Sequence, residues 1–274
     1  MLVLANGAPK SGSTWLYEIV KRLLSAAPMP DRYLMPAPED PPPGYEPLVA
    51  PQKLPELIKS GATHSHNYVS KTHLFAKRYV RLLLADSSVR ILDIHRDVRD
   101  ALVSHYHDMI RTGHWSEAKG FERYYWSIGR YKSYQVRQFH RAWAVNSPQV
   151  YVSSFERLKS DFPGEVKRIA EFLGLKLNDD QVEQIREQTS LGQLRKAWAE
   201  EGDARPRFFR KGTVGEWKSV FKDEMLRDLD AIQQKGLRGV SLLRYHLLFT
   251  LRQAIMLSLA ALHVPWIAKR LGRV

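Results

Sequence analysis

The sequence predicts an α/β fold, built as a single domain with a central parallel sheet flanked by helices and a helical C-terminal extension. Short apolar runs of strand length alternate with stretches of helical periodicity through the first two thirds of the chain, the pattern that yields parallel sheets. A glycine-rich turn stands between the first run and the first periodic stretch. The 44% apolar content of a 274-residue chain is enough for a substantial core.

Each element can be justified in order. Residues 2 to 5 are an apolar run ending at Asn6-Gly7, after which Trp15, Leu16, Ile19, Val20, Leu23 and Leu24 recur at helical spacing. This reads as strand, glycine loop, helix. From Pro28 to Pro55 prolines are dense and include Pro41-Pro42-Pro43. Because proline lacks an amide donor, residues 28–60 are expected to form an irregular surface excursion, either a flap over a pocket or a linker. Tyr68 to His73 reads as a second strand and Val89 to Ile94 as a third, each followed by a helix-compatible stretch. A fourth strand is expected at Gln149 to Ser153, ahead of a helix from Glu165 to Leu173 that Gly174 ends. The domain so defined covers residues 1–240.

Residues 241–274 form a basic, apolar tail. Its longest uncharged run, Gln253 to Ala268, contains His263 and Pro265 and falls short of the ~20 residues a transmembrane helix needs. With Arg244, Arg252, Lys269, Arg270 and Arg273 beside it, the tail suits peripheral contact with a membrane surface. Packing against the domain and self-association are the alternatives.

Lys and Arg total 42 against 29 Asp and Glu, a formal net charge of +13. Such a field favours anionic partners without choosing among nucleic acid, an anionic membrane and a phosphorylated nucleotide. The absence of cysteine excludes disulfides, thiolate metal sites and cysteine nucleophiles. No charged leader precedes the first apolar run, so a cytoplasmic product is expected. His64, His66 and His73, or His105 and His107, lack carboxylates at ligand spacing, and no metal is expected.

Gly7-Ala8-Pro9-Lys10-Ser11-Gly12-Ser13-Thr14 has the glycine spacing and terminal hydroxyl of a phosphate-binding loop, in the strand-to-helix context such loops require. The predicted fold is therefore P-loop NTPase-like. Backbone amides and the helix N-terminus would face a phosphate. An ATP-type loop carries lysine directly after the second glycine, whereas this chain has Ser13 there and its lysine at Lys10. A lysine placed that early suits the 5′ end group of a nucleotide shorter than a triphosphate.

Pro9-Lys10-Ser11-Gly12-Ser13-Thr14-Trp15 resembles the 5′-phosphosulfate loop of the sulfotransferases that use 3′-phosphoadenosine 5′-phosphosulfate (PAPS). Ile94-His95-Arg96-Asp97, with Ser104 eight residues after Arg96, resembles that family's 3′-phosphate motif. Arg210-Lys211-Gly212-Thr213-Val214-Gly215-Glu216-Trp217-Lys218 resembles its late phosphate-binding segment. The order matches the family across residues 7 to 218.

The resemblance implies a sulfuryl transfer from PAPS to an acceptor hydroxyl or amine, releasing adenosine 3′,5′-bisphosphate. It implies Lys10, Ser11, Gly12, Ser13, Thr14, Trp15, Arg96, Ser104, Arg210, Lys211 and Gly212 as nucleotide ligands. Lys71-Thr72-His73 resembles the segment supplying the catalytic base, which assigns His73 as general base, with Lys10, Lys71 and Ser104 beside the reacting atoms. Thr189 and Phe155 resemble adenine-side positions, although the family commonly has tyrosine where this chain has Phe155. The family's Thr-Val dimerisation segment is replaced by Ser219-Val220-Phe221-Lys222-Asp223, leaving the oligomeric state open. A small molecule, lipid or carbohydrate would be the acceptor, and nucleic acid is not an expected partner. The aromatics between Arg111 and Trp143 are candidates for an acceptor pocket or for plain core.

The rival readings are a P-loop kinase of small molecules, weakened by the displaced lysine, and a non-catalytic basic module that binds nucleic acid or membrane.

Overall fold

The computed structural model describes residues 1–24, 26–35, 48–200 and 210–239, together with 242, 243 and 247. The described helices are α1 (Ser13–Leu23), α2 (Leu54–Lys59), α3 (Ala62–Ser65), α4 (Lys77–Leu84), α5 (Val98–Arg111), α6 (Gly120–Tyr124), α7 (Arg130–Trp143), α8 (Phe155–Ser160), α9 (Phe162–Phe172), α10 (Asp179–Gln188), α11 (Leu191–Glu200) and α12 (Asp223–Lys235). A π-helical turn at Tyr125–Gly129 leads into α7.

The chain divides into two compact units. The first comprises residues 1–97 and 138–214, the second residues 98–137 together with those from 215 onward.

The first unit holds the sheet. β1 (Leu2–Gly7), β2 (Tyr68–Thr72), β3 (Val89–His95) and β4 (Val150–Ser154) are all parallel, in the order β2-β1-β3-β4. Every residue of β1 is buried, which is why its sequence is a continuous apolar run and not an alternating one. Val3, Ala5, Leu92 and Ile94 pack with Leu16, Ile19 and Val20 of α1 and with Phe162, Val166 and Ile169 of α9. These apolar residues remove water from one face of the sheet. Since the strands are parallel, their C-terminal ends, Gly7, Thr72, His95 and Ser154, lie along one edge, where open α/β sheets bind ligands.

The expected strands and the helix stopped by Gly174 are present, with Gly174 at φ 75°. The proline-rich excursion needs one correction. Its described part carries short 3-10 turns at Asp31–Tyr33 and Pro51–Lys53 and pairs Leu34 with Val49 in a single bridge, and residues 54–59 are the helix α2. Pro55 sits in the first turn of α2, where a missing N–H leaves no helical bond unmade. Residues 36–47 lie outside the described residues, as does the tail apart from 242, 243 and 247.

In the second unit, Leu102, Val103, Tyr106 and Met109 of α5 form a core with Phe121, Tyr124, Tyr125, Met225 and Leu229. Val220 and Phe221 pack against that core. Among the described residues no helix is long and apolar enough to cross a membrane.

Candidate functional site

The turn after β1 is shaped for close approach. Lys10 has φ 73° and is the one described non-glycine residue with positive φ; such strain persists where the surroundings hold it, and it clusters at ligand sites. Gly12 precedes α1 with φ 101°, and a Cβ there would stand 2.9 Å from Phe155 Cδ2, so the position tolerates glycine alone. The Ser11 amide donates to the Ala8 carbonyl at 3.0 Å and closes the turn.

Ser11 is 1% exposed, and its hydroxyl has no hydrogen-bond partner within the protein. Leaving such a group unmet costs about 1 to 3 kcal/mol. The cost is recovered if a ligand oxygen arrives, and the first amides of the eleven-residue helix α1 begin two residues later. Lys10 is half-buried beside this turn. Loop, hydroxyl, cation and helix start together suit a phosphate-type group.

Lys71 of β2 and His73, just past the end of that strand, meet the loop. Lys71 Nζ donates to Thr14 Oγ1 at 3.2 Å. His73 Nδ1 lies 2.6 Å from the Gly7 carbonyl. A carbonyl oxygen only accepts, so Nδ1 carries the proton and Nε2 of the neutral ring keeps its lone pair. Burial lowers the His73 pKa from 6.5 to about 4, helped by the nearby Lys71 and Lys10 charges and opposed by the bond to Gly7. The imidazole is therefore neutral over the physiological range.

Arg96 follows the end of β3. Its guanidinium donates to the Lys10 carbonyl at 3.2 Å and to the Thr213 carbonyl at 3.1 Å, and lies 4.2 Å from the Phe155 ring centroid. The late segment is thus tied to the first loop through Arg96. Arg195 donates to the Arg210 carbonyl, Lys211 is exposed, and Gly212 takes φ 61°. The structure brings Arg210, Lys211 and Gly212 into the same unit as the loop. Ser104 is half-buried on α5 and belongs to the second unit.

Trp15, Thr189 and Phe155 cluster. Trp15 Nε1–H donates to the Thr189 carbonyl at 3.0 Å, and the Trp15 ring meets Phe155 edge-on at 5.6 Å. Thr189 is 1% exposed and its Oγ1 donates to the Ile185 carbonyl at 2.7 Å, while the Trp15 ring stacks on Phe162 at 5.9 Å. Phe155 is both core, at 6% exposure, and the platform for Arg96. Among the aromatics between Arg111 and Trp143, Phe121, Tyr124, Tyr125 and Phe139 are buried core.

Sequence reasoning passed over several residues that position these groups. Glu156 accepts the Asp97 amide at 3.0 Å. In the second unit, Asp100 is 1% exposed and accepts the Gly215 amide at 2.6 Å and the Trp217 amide at 3.0 Å. Arg99 lies 3.7 Å from the Trp217 ring centroid. The available signal was Asp100 itself, an aspartate in the first turn of α5. Asn6 and Asp93, both 0% exposed within the strands, also went unnoticed.

A family model described as the sulfotransferase domain matches residues 2–241. Sulfotransferase 6B1 of Danio rerio is 27% identical over 248 residues, covering 85% of this chain and 77% of the relative. Sulfotransferase 6B1 of Homo sapiens is 29% identical over 259 residues, covering 88% and 77%. Among solved structures, mouse sulfotransferase SULT7A1 complexed with PAP superposes with a TM-score of 0.59 at 21% identity, covering 91% of this chain and 88% of that one. Retinol dehydratase in a complex with retinol and PAP gives a TM-score of 0.60 at 20% identity, covering 87% and 83%.

Proposed function

This chain belongs to the sulfotransferase family, and from that premise we propose that it moves a sulfuryl group from PAPS to an acceptor hydroxyl or amine, with His73 as general base. The observation that carries the reading is the 2.6 Å bond from His73 to the carbonyl of Gly7, which ties the base to the loop that suits a phosphate. The buried, unmet Ser11 hydroxyl and the strained Lys10 fit a nucleotide 5′-phosphosulfate at that loop. PAP, the desulfated nucleotide, is bound by SULT7A1 and by retinol dehydratase. Arg96, Arg210 and Lys211 supply the charge for its second phosphate, and Trp15, Phe155 and Thr189 the adenine side.

The protein groups then act as follows. Nε2 of His73 accepts the acceptor's proton as the acceptor oxygen or nitrogen attacks sulfur. The sulfur–oxygen bond to the 5′-phosphate breaks, and adenosine 3′,5′-bisphosphate leaves with the electron pair. Lys10 stabilises the charge growing on the former bridging oxygen, an interaction that strengthens toward the transition state. Lys71, bonded to Thr14, holds β2 against the loop and lowers the proton affinity of His73. The work is mainly alignment and charge stabilisation of an in-line displacement. A small molecule, lipid or carbohydrate is the acceptor, and the transferase domain is the 1–240 portion, followed by the basic, apolar sequence 241–274.

Radiolabelled PAPS supplied with phenols, sterols, sugars and amphiphilic lipids identifies the acceptor. With that acceptor, His73→Ala is expected to abolish turnover while calorimetry still reports binding of adenosine 3′,5′-bisphosphate. Surviving turnover in this variant would show that another group takes the proton. Tight binding of ATP with magnesium but not of adenosine 3′,5′-bisphosphate would favour the kinase reading instead.

A further inference from the structure

On the face of the sheet opposite α1, the first unit contains a polar network that the reaction as described does not use. Asn6 and Asp93 are register partners across β1 and β3, and both are wholly buried. Asn6 Nδ2 donates to Asp93 Oδ1 at 3.0 Å. Asn6 Oδ1 accepts the backbone amide of Leu74 at 3.1 Å. His95, two residues beyond Asp93 and so on the same face, donates Nε2–H to Asp93 Oδ2 at 2.8 Å. The His95 ring stacks on that of His140, with centroids 3.9 Å apart. Finally, Trp143 Nε1–H donates to the Leu74 carbonyl at 2.5 Å.

Two buried side chains thus hold both backbone groups of the residue that follows His73. Core packing needs neither bond. A leucine and an apolar residue at positions 6 and 93 would fill this face without desolvating a carboxylate, whose burial is expensive unless fully hydrogen-bonded. The network's geometry ends on the backbone of the base-bearing turn. The Gly7 carbonyl, which fixes the His73 tautomer, is itself adjacent to Asn6 in β1.

We propose that Asn6, Asp93 and Trp143 are positioning residues that fix the turn at His73–Leu74, so that Nε2 is presented to the acceptor in one orientation. The inference rests on His73 being the base. An offset of about 1 Å in a reacting group costs on the order of a hundredfold in rate, so a turn released at either end lowers kcat. The phosphate loop has its own bonds, and nucleotide affinity stays.

The hydrogen-bond pattern specifies an unusual rescue. Asn6→Asp puts two carboxylates in contact and removes the donor to Asp93. Adding Asp93→Asn reverses the roles: the residue-6 carboxylate accepts both the Leu74 amide and the new amide at 93, whose oxygen accepts from His95. All three bonds are then remade with one buried charge, as in the original.

The experiment measures kcat with PAPS and the acceptor selected from the phenol, sterol, sugar and lipid screen. Calorimetry gives the Kd of adenosine 3′,5′-bisphosphate, and circular dichroism checks folding for each variant. Asn6→Asp and Trp143→Phe are each expected to lower kcat at least about tenfold with Kd changed less than about threefold. The double variant Asn6→Asp/Asp93→Asn is expected to recover kcat to within about threefold of the original. Trp143→Phe keeps an aromatic ring at this buried position while removing the donor and part of the indole volume, and with circular dichroism confirming its fold it answers the question even if Asn6→Asp fails to fold. An unchanged kcat in folded Trp143→Phe, a loss of kcat matched by an equal loss of nucleotide affinity, or a folded double variant that stays slow overturns the proposal. His73→Ala separates the two readings. If it is inactive while Asn6→Asp and Trp143→Phe keep full kcat, the network falls and the base stands; if it turns over, both fall.

Discussion

Lys10 sits at φ 73° in the turn that leads into α1, and a lysine placed there carries a backbone cost that glycine would not. The cost is consistent with a cation that has to stand early in the loop, a departure from the ATP-type pattern already visible in the sequence. His73 shows the same trade of stability for chemistry. Its ring is buried, close to two lysines and held in one tautomer by Gly7. NMR titration of the histidine imidazoles is expected to find His73 neutral until the pH falls to about 4, compared with 6.5 for an ordinary histidine. A His73 that titrates near the ordinary value would mean that water reaches the ring, and its role as a base held neutral by burial would go.

At the scale of elements, the β3–α5 junction carries the largest share of the functional groups. β3 delivers Asp93 and His95, Arg96 follows directly after it, and the first turn of α5 delivers Arg99 and Asp100. Asp100 accepts two backbone amides from the Gly215–Trp217 turn while almost wholly buried. Asp100→Ala leaves both amides without a partner, and is expected to destabilise the chain by at least about 1 to 3 kcal/mol. Urea unfolding would show this as a lower midpoint at constant slope, and an unchanged midpoint would mean that water serves the two amides equally well.

This junction also shows what could be read in advance. The strands were legible because buried parallel strands are continuous apolar runs, as at Leu2 to Ala5. The loop was legible because glycine and lysine spacing is dictated by backbone approach to an anion. Asp100, Asn6, Asp93 and Trp143 were not, since Asp100, Asn6 and Trp143 work through a backbone group distant in the chain and Asp93 through the side chain of Asn6 on the neighbouring strand, and no local periodicity encodes such a partner. The short helix α2 was missed for a smaller reason: proline was taken as a breaker, although in a first turn it is tolerated.

For the whole molecule, charge and protonation act together. His73 and His140 are both lowered to about 4 in the folded chain, His140 by burial and then by the adjacent His95. Unfolded, each would take up a proton near the ordinary value of 6.5. Between those two values the unfolded chain binds more protons than the folded one, so stability falls as pH drops from 6.5 toward 4 and levels off above. Melting temperature should therefore decline on acidification through this window, and less steeply in His140→Gln; a melting temperature that rises there would reverse the sign of the effect. The two compact units also have a consequence for synthesis. Because the chain passes from one to the other after residues 97, 137 and 214, neither is a contiguous stretch. On the ribosome the sheet cannot gain β4 until the first part of the second unit has already emerged, so nascent chains stopped near residue 137 would expose the β3 edge and be the natural clients of chaperones.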